Sequence, residues 1–338
     1  MTRTATPKPT WLSSLHMSVL IVSYLRDRGI SAEQLLEGSG ITFADLEGLQ
    51  RLIAPSQEQV VFANAVRLAK RPALGLELGQ RARITMYGLA GYAMLSAPTL
   101  NEAMAIAVRS PELIGSYFEV QVECIGSQAW LRPCRYREQA ALLPFYTEVC
   151  LSALRVLCSD LLGLPVPVQA LQLQYPEPPG SAGYYQQAFD CQASFDSKRS
   201  GFAISASWLD EPLPLANPVT HKEMLEHCQR RNAEIAASRA WLEKVRSLIA
   251  ERLNTPPNME ELARSMSCSV SSLRRRLAKH QTSYQQLLDD LRFGRAKELL
   301  QGDLPLYRIA EDLGFSETAA LRHAFQRWSG QPPSYFRR

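Results

Sequence analysis

Three consecutive arginines, Arg274, Arg275 and Arg276, stand in the stretch SSLRRRLAKH, Ser271–His280, of this 338-residue chain. A guanidinium only donates hydrogen bonds, and it pairs well with carboxylates, phosphates or the O6/N7 edge of guanine. A charge run is also what a solvated helix face shows, so its phase has to be weighed. At ~100° per residue, Val270, Leu273 and Leu277 fall on one side. With that side buried, Arg275 points outward among Ser271, Ser272 and Lys279, and Arg274 and Arg276 lie on the two flanks. This layout suits a major groove, with a central arginine on a base, short hydroxyls allowing close approach and flanking cations on phosphates. Whether Arg274 meets a base or a phosphate is open.

A second segment repeats the arrangement. In SETAALRHAFQRW, Leu321, Phe325 and Trp328 form an apolar stripe. Ala319, His323 and Arg327 lie opposite, with Thr318 and Arg322 toward the edges. Each candidate helix follows a shorter one and a turn with Ser or Gly, the pattern of a helix-turn-helix, over 258–280 and 305–328. Asn258 with Glu261 forms a capping box for the first short helix, and Ser269 can cap the first arginine helix. The helix SYQQLLDDLRFGRAKELL separates the units, a spacing that would let them enter successive major grooves.

Charge agrees in sign. Trp241–Arg338 holds 16 Lys+Arg against 11 Asp+Glu, whereas the other 240 residues hold 21 against 22, so the excess behind the net charge of +4 sits in the last third. Seven cysteines, odd in number and without CxxC spacing, point to reduced thiols in a cytoplasm and to neither a zinc site nor a disulfide framework. His221 and His227, six apart, do not share a helix face, and no metal or other cofactor is expected. The run Met17–Leu25 imitates a signal-peptide core, but it is short, lacks a cleavage site and reads as a core helix. A soluble, cytoplasmic protein with no membrane partner is expected.

The elements that must position these residues form two domains. Residues 11–110 read as helices, with Ser31/Gln34, Ser56/Gln59 and Thr99/Glu102 as capping boxes. YFEVQVECIGSQAWLRPC then alternates, predicting two strands about Gly126–Ser127, with Phe118, Val120, Val122 and Cys124 on one face. A helix is expected over Ala141–Leu162, and further strands in VQALQLQY and SGFAISAS. The fold expected is an α+β N-terminal domain over 1–215, a linker region over 216–235, and an all-α C-terminal domain over 236–338 with two helix-turn-helix units joined by a helix.

The motifs LARSMSCSVSSLRRRLAKHQTSYQQLLDDLRFGRAKELL and IAEDLGFSETAALRHAFQRWSGQPPSYFRR resemble the DNA-binding domain of the AraC/XylS family of transcription regulators. The resemblance implies base contacts from Ser271, Arg274 and Arg275 in the first unit and from Thr318, Ala319, Arg322 and His323 in the second. Ser272, Arg276, Lys279 and Arg327 are then expected on phosphates. Gln281 stands where the family usually ends the helix with glycine, and Ala319 offers only a methyl. YLRDRGI, ALGLELGQ, GLAGYAMLSAPTLNEAM and FDCQASFDSKRSGFAISASWLDEPLP resemble the arabinose-binding-like effector domain of the branch that includes ornithine-utilization regulators.

The resemblance implies a homodimeric activator that binds double-stranded promoter DNA, recruits RNA polymerase and answers to a small-molecule effector. An amino acid or organic acid is the candidate class. Arg83, Tyr87, Arg109, Tyr117 and Glu148, polar or aromatic residues within apolar elements, are the candidate effector ligands, though each is more readily an ordinary surface or helix-end side chain. An effector-independent DNA-binding regulator is the alternative. No nucleophile elbow, phosphate loop or catalytic triad stands in 1–215, so an enzyme is not expected.

Overall fold

A computed structural model describes residues 13–48, 52–53, 55–114, 119–134, 140–181, 183–280 and 282–337. The chain forms two compact units, Met1–Glu234 and Ile235–Arg338.

The first unit is α+β. Its apolar run becomes the helix His16–Arg26, with Ile21, Val22, Tyr24 and Leu25 buried. Ser31 and Gln34 form the expected capping box, and Thr99 accepts from the Glu102 backbone N–H. The helix Pro55–Ala69 differs from expectation: it starts at Pro55, so Ser56 lies in its first turn. Proline favours that position, because its missing N–H is one that a helix start leaves unpaired anyway.

Strands β1 (Ser13–Ser14) and β2 (Leu52–Ile53) pair antiparallel. The main sheet contains β3 (Glu119–Ile125), β4 (Gln128–Cys134), β5 (Ala170–Gln172), β6 (Ala193–Ser194) and β7 (Gly201–Ser205), ordered β3-β4-β7-β5-β6. β3 and β4 make the hairpin read from sequence, with Val120 opposite Pro133. Cys124 is exposed, however, so the apolar face of β3 is not buried along its length; Phe118 lies outside the described residues. β4 is an interior strand, between β3 and β7, with Ala129 to Pro133 all buried. The β5–β6 pair is parallel and was not visible in the alternation, because two residues of β6 carry too little period.

Behind the sheet runs the helix Leu143–Leu162, whose close neighbour is Leu74–Gly79. Gly75 permits that approach: a Cβ there would meet the Phe145 carbonyl oxygen at 2.6 Å and Glu148 Oε2 at 2.8 Å. The proline-dense segment near 215, expected as a boundary, is bonded to the first unit. Leu213 N–H donates to the Pro98 carbonyl, and Asn217 N–H to that of Ser96. Of the expected linker 216–235, residues 218–235 lie within the helix Pro218–Ala250, whose front half belongs to the first unit.

The second unit is all helical and has two cores. Leu242, Val245, Ile249, Leu262, Leu273, Leu277, Leu287 and Leu288 build the first. Ala296, Leu300, Ile309, Leu313, Leu321 and Phe325 build the second. The helix Tyr284–Leu300, about 25 Å long at 1.5 Å per residue, contributes to both and so fixes one core to the other. No helix among the described residues is long and apolar enough to cross a membrane.

Candidate nucleic-acid interface

The first helix-turn-helix pairs Met259–Ser265 with Val270–Lys279. Asn258 forms its capping box with Glu261, accepting from the Glu260 and Glu261 N–H groups. Ser269 caps the second helix through the Ser272 N–H and also donates its hydroxyl to Ser272 Oγ at 2.9 Å. These local bonds fix where the arginine helix starts, and burial of Leu273 and Leu277 fixes its rotation.

The outward residues then sort by surroundings. Ser271, Arg274, Arg275, Arg276 and Lys279 are exposed, and Ser272 is half-buried. Among the described residues neither Arg274 nor Arg275 has a carboxylate partner. Arg276 is different. Its guanidinium sits 4.3 Å from the centroid of the Trp241 ring, and His280 stacks on the same tryptophan at 5.4 Å. Burial, together with Arg276 and Lys279, lowers the His280 pKa, so the ring stacks as the neutral form. The three arginines are thus two free donors and one held in place by an aromatic face. Trp241, 35 positions upstream, was not singled out in the sequence, where nothing pairs it with Arg276. Gln281 lies outside the described residues.

The second helix-turn-helix pairs Leu306–Asp312 with Thr318–Ser329. Leu321 and Phe325 are buried and Trp328 half-buried, matching the expected stripe. Ala319, Arg322 and His323 are exposed, and Thr318 is half-buried in the first turn. Arg327 is exposed but already engaged: its Nη2 lies 3.1 Å from Asp289 Oδ2 on the helix that joins the two helix-turn-helix motifs. That ion pair competes with the phosphate contact expected of Arg327. Gly314, with φ +73°, makes the turn, where Arg292 Nη2 donates to the Gly314 carbonyl and the Arg292 guanidinium stacks on Phe315.

The four described candidate effector residues do not share one site: Arg83 and Tyr87 both lie near Asp160, while Arg109 and Glu148 lie elsewhere. Arg83 pairs with Asp160 at 2.5 Å beside a small surface pocket that also holds Arg155 and Ser159. Tyr87 is half-buried, and burial pushes its phenol pKa up. Arg109 lines a different groove, and Tyr117 lies outside the described residues. Glu148 is interior. Its Oε1 accepts from Tyr185 Oη at 2.5 Å and its Oε2 from the Gly75 N–H at 3.1 Å. Sequence position gave no hint of this scatter, because a polar residue in an apolar helix does not say which neighbour it meets.

Burial raises the Glu148 pKa to about 7 from an ordinary 4.5, outweighing the two donors that pull it down. The folded state therefore holds a proton that the unfolded chain has released between those values. Stability is full below about pH 4.5 and declines as pH rises through about 7, by on the order of 3 kcal/mol. Urea unfolding of the first unit's signal between pH 4.5 and 8 should show that decline, and Glu148→Gln should flatten it. An equal slope in the variant would assign the pH dependence elsewhere.

A family model described as the arabinose-binding domain of AraC transcription regulators, N-terminal, matches residues 29–213. A helix-turn-helix domain model matches 262–338. The ornithine utilization regulator of Pseudomonas aeruginosa is 30% identical over 318 residues, 94% of each chain. The HTH-type transcriptional regulator VqsM of the same organism is 27% identical over 279 residues, 78% of this chain and 83% of that one. Both relatives are named as regulators and not as enzymes, the second as a transcriptional one. With an α+β unit matching the first model and a doubled helix-turn-helix matching the second, the chain belongs to the AraC family of DNA-binding transcription regulators.

Proposed function

We propose that this regulator is a cytoplasmic, homodimeric activator that recruits RNA polymerase to promoter DNA under the control of a small molecule bound by its first unit. Arg274 and Arg275 read bases together with Ser271, and Thr318, Ala319, Arg322 and His323 face the second half-site. Ser272, Arg276 and Lys279 meet phosphates. The observation behind this division is that Arg274 and Arg275 are exposed and unpaired among the described residues, while Arg276 is stacked on Trp241. A stacked guanidinium still presents its N–H edge, which suits a phosphate clamp fixed before DNA arrives.

Effector control needs a ligand with different affinity for the DNA-competent and incompetent arrangements. The name of the ornithine utilization regulator, which aligns across both units, supports an amino acid as that ligand. Transcription in vitro from a promoter that the chain footprints, with purified RNA polymerase, tests the activator reading. A several-fold rise in transcript on adding the chain is expected, and a fall would make it a repressor.

A further inference from the structure

Two helices of the first unit, Leu100–Arg109 and the front half of Pro218–Ala250, are pinned to their surroundings at two points. His221 Nδ1 donates to the Ala93 carbonyl at 3.0 Å, and Asn232 Nδ2 donates to Ser110 Oγ at 2.8 Å. Between these points lies a groove of about 530 Å³. Its two charged ends come from one helix face: Glu102 and Arg109 are seven residues apart, two turns or about 10 Å along the axis.

The Glu102 end is short of a donor. The Ala93 carbonyl can only accept, so His221 Nδ1 carries a proton, and the ring turns Nε2 toward Glu102. Nε2 lies 3.9 Å from Glu102 Oε2, too far for a direct hydrogen bond, which leaves the Glu102 carboxylate to accept from a ligand ammonium. The Arg109 end is the reverse. Arg109 is exposed and has no carboxylate partner among the described residues, which leaves its fork free for a carboxylate. Ile106 and Leu225 supply an apolar wall between the ends. Asn232 Oδ1, buried without a donor, adds another unmatched acceptor to the lining.

We propose that this groove binds an aliphatic zwitterion with a carboxylate at one end and an ammonium at the other, the chemistry of a basic amino acid. The two charged ends are too far apart for an amino acid whose charges sit on neighbouring carbons to touch both. The proposal rests on the effector-controlled reading above and adds a site and a ligand class to it. The helix that forms one wall runs on to Ala250 and gives Leu242, Val245 and Ile249 to the second unit's core. A ligand held on its front half therefore acts on an element that both units share.

Calorimetric titration of the full chain with L-ornithine and L-lysine tests this, with L-norvaline lacking the side-chain ammonium and 1,4-diaminobutane lacking the carboxylate. At least one basic amino acid should bind at least tenfold more tightly than either control. Arg109→Ala and Glu102→Gln should each weaken that binding at least tenfold with an unchanged thermal midpoint, since both side chains are exposed. No binding of either basic amino acid to the folded chain, or binding indifferent to both substitutions, overturns the site. Footprinting the wild-type chain with and without L-ornithine separates the two readings: an unchanged footprint beside intact calorimetric binding keeps the site and removes effector control.

Discussion

Arg275→Ala should weaken binding to a footprinted operator by roughly ten- to a hundredfold, equivalent to about 1–3 kcal/mol, and relax base preference at one position. Arg276→Ala should instead weaken binding evenly across operator and random DNA and reduce the steepness of the salt dependence by about one. The difference follows from surroundings, since all three side chains are arginines on one turn of one helix. Arg275 leaves the face opposite Leu273 and Leu277, whose burial fixes the rotation, and no carboxylate among the described residues competes for it. Arg276 lies on Trp241, so its position is fixed and its reach toward the groove floor is limited. Trp241→Ala offers a sharper version: it should loosen Arg276 and reproduce much of the uniform loss without altering base preference. Arg274→Ala decides the point that helical phase left open, because a base contact gives the Arg275 pattern and a phosphate contact the Arg276 pattern. Equal, sequence-independent losses in all three arginine variants would remove the division of roles.

What could be read from sequence was set by interactions within a few residues. Asn258 with Glu261, Ser269 with Ser272, and the Leu273/Leu277 stripe are short-range, and each has the geometry its spacing implied. Ser56 failed as a cap because Pro55, one residue earlier, is the better helix start. Long-range partners left no trace. Nothing in the spacing joins Trp241 to Arg276, Asp289 to Arg327 or Gly75 to Glu148, since each pair comes from two elements whose mutual placement is a tertiary result. The same limit explains the effector candidates. Arg109 stands out as a polar residue in an apolar helix, but Glu102 and His221, which share its groove, show in the sequence only as a cap residue and as a histidine without a metal partner.

Gly314→Ala should unfold the second helix-turn-helix locally and reduce operator affinity by more than a hundredfold, while leaving the first unit's unfolding unchanged. Two costs add. At φ +73° an L side chain pays about 1–2 kcal/mol of backbone strain. The new Cβ would also lie 2.4 Å from the Asn254 carbonyl oxygen and 2.9 Å from Arg292 Nη2. The backbone oxygen cannot swing aside as a side chain would, so the turn itself must move, taking Leu313 and Phe315 with it. Both pack in the second core, where loss of fit costs about 1–3 kcal/mol more. The first helix-turn-helix supplies the control, because Ser267 occupies the matching turn position, two residues beyond its helix, with φ +51° and an exposed side chain. A Cβ is already accommodated there, so Ser267→Gly should change stability by no more than about 1 kcal/mol in either direction. Hydrogen exchange reads the contrast directly: Gly314→Ala should lose amide protection across Leu321–Phe325 while Leu273–Leu277 keeps most of its own. Wild-type protection in Gly314→Ala would show that the turn opens to admit a methyl group, and that steric closure at Asn254 does not hold the second recognition helix in place.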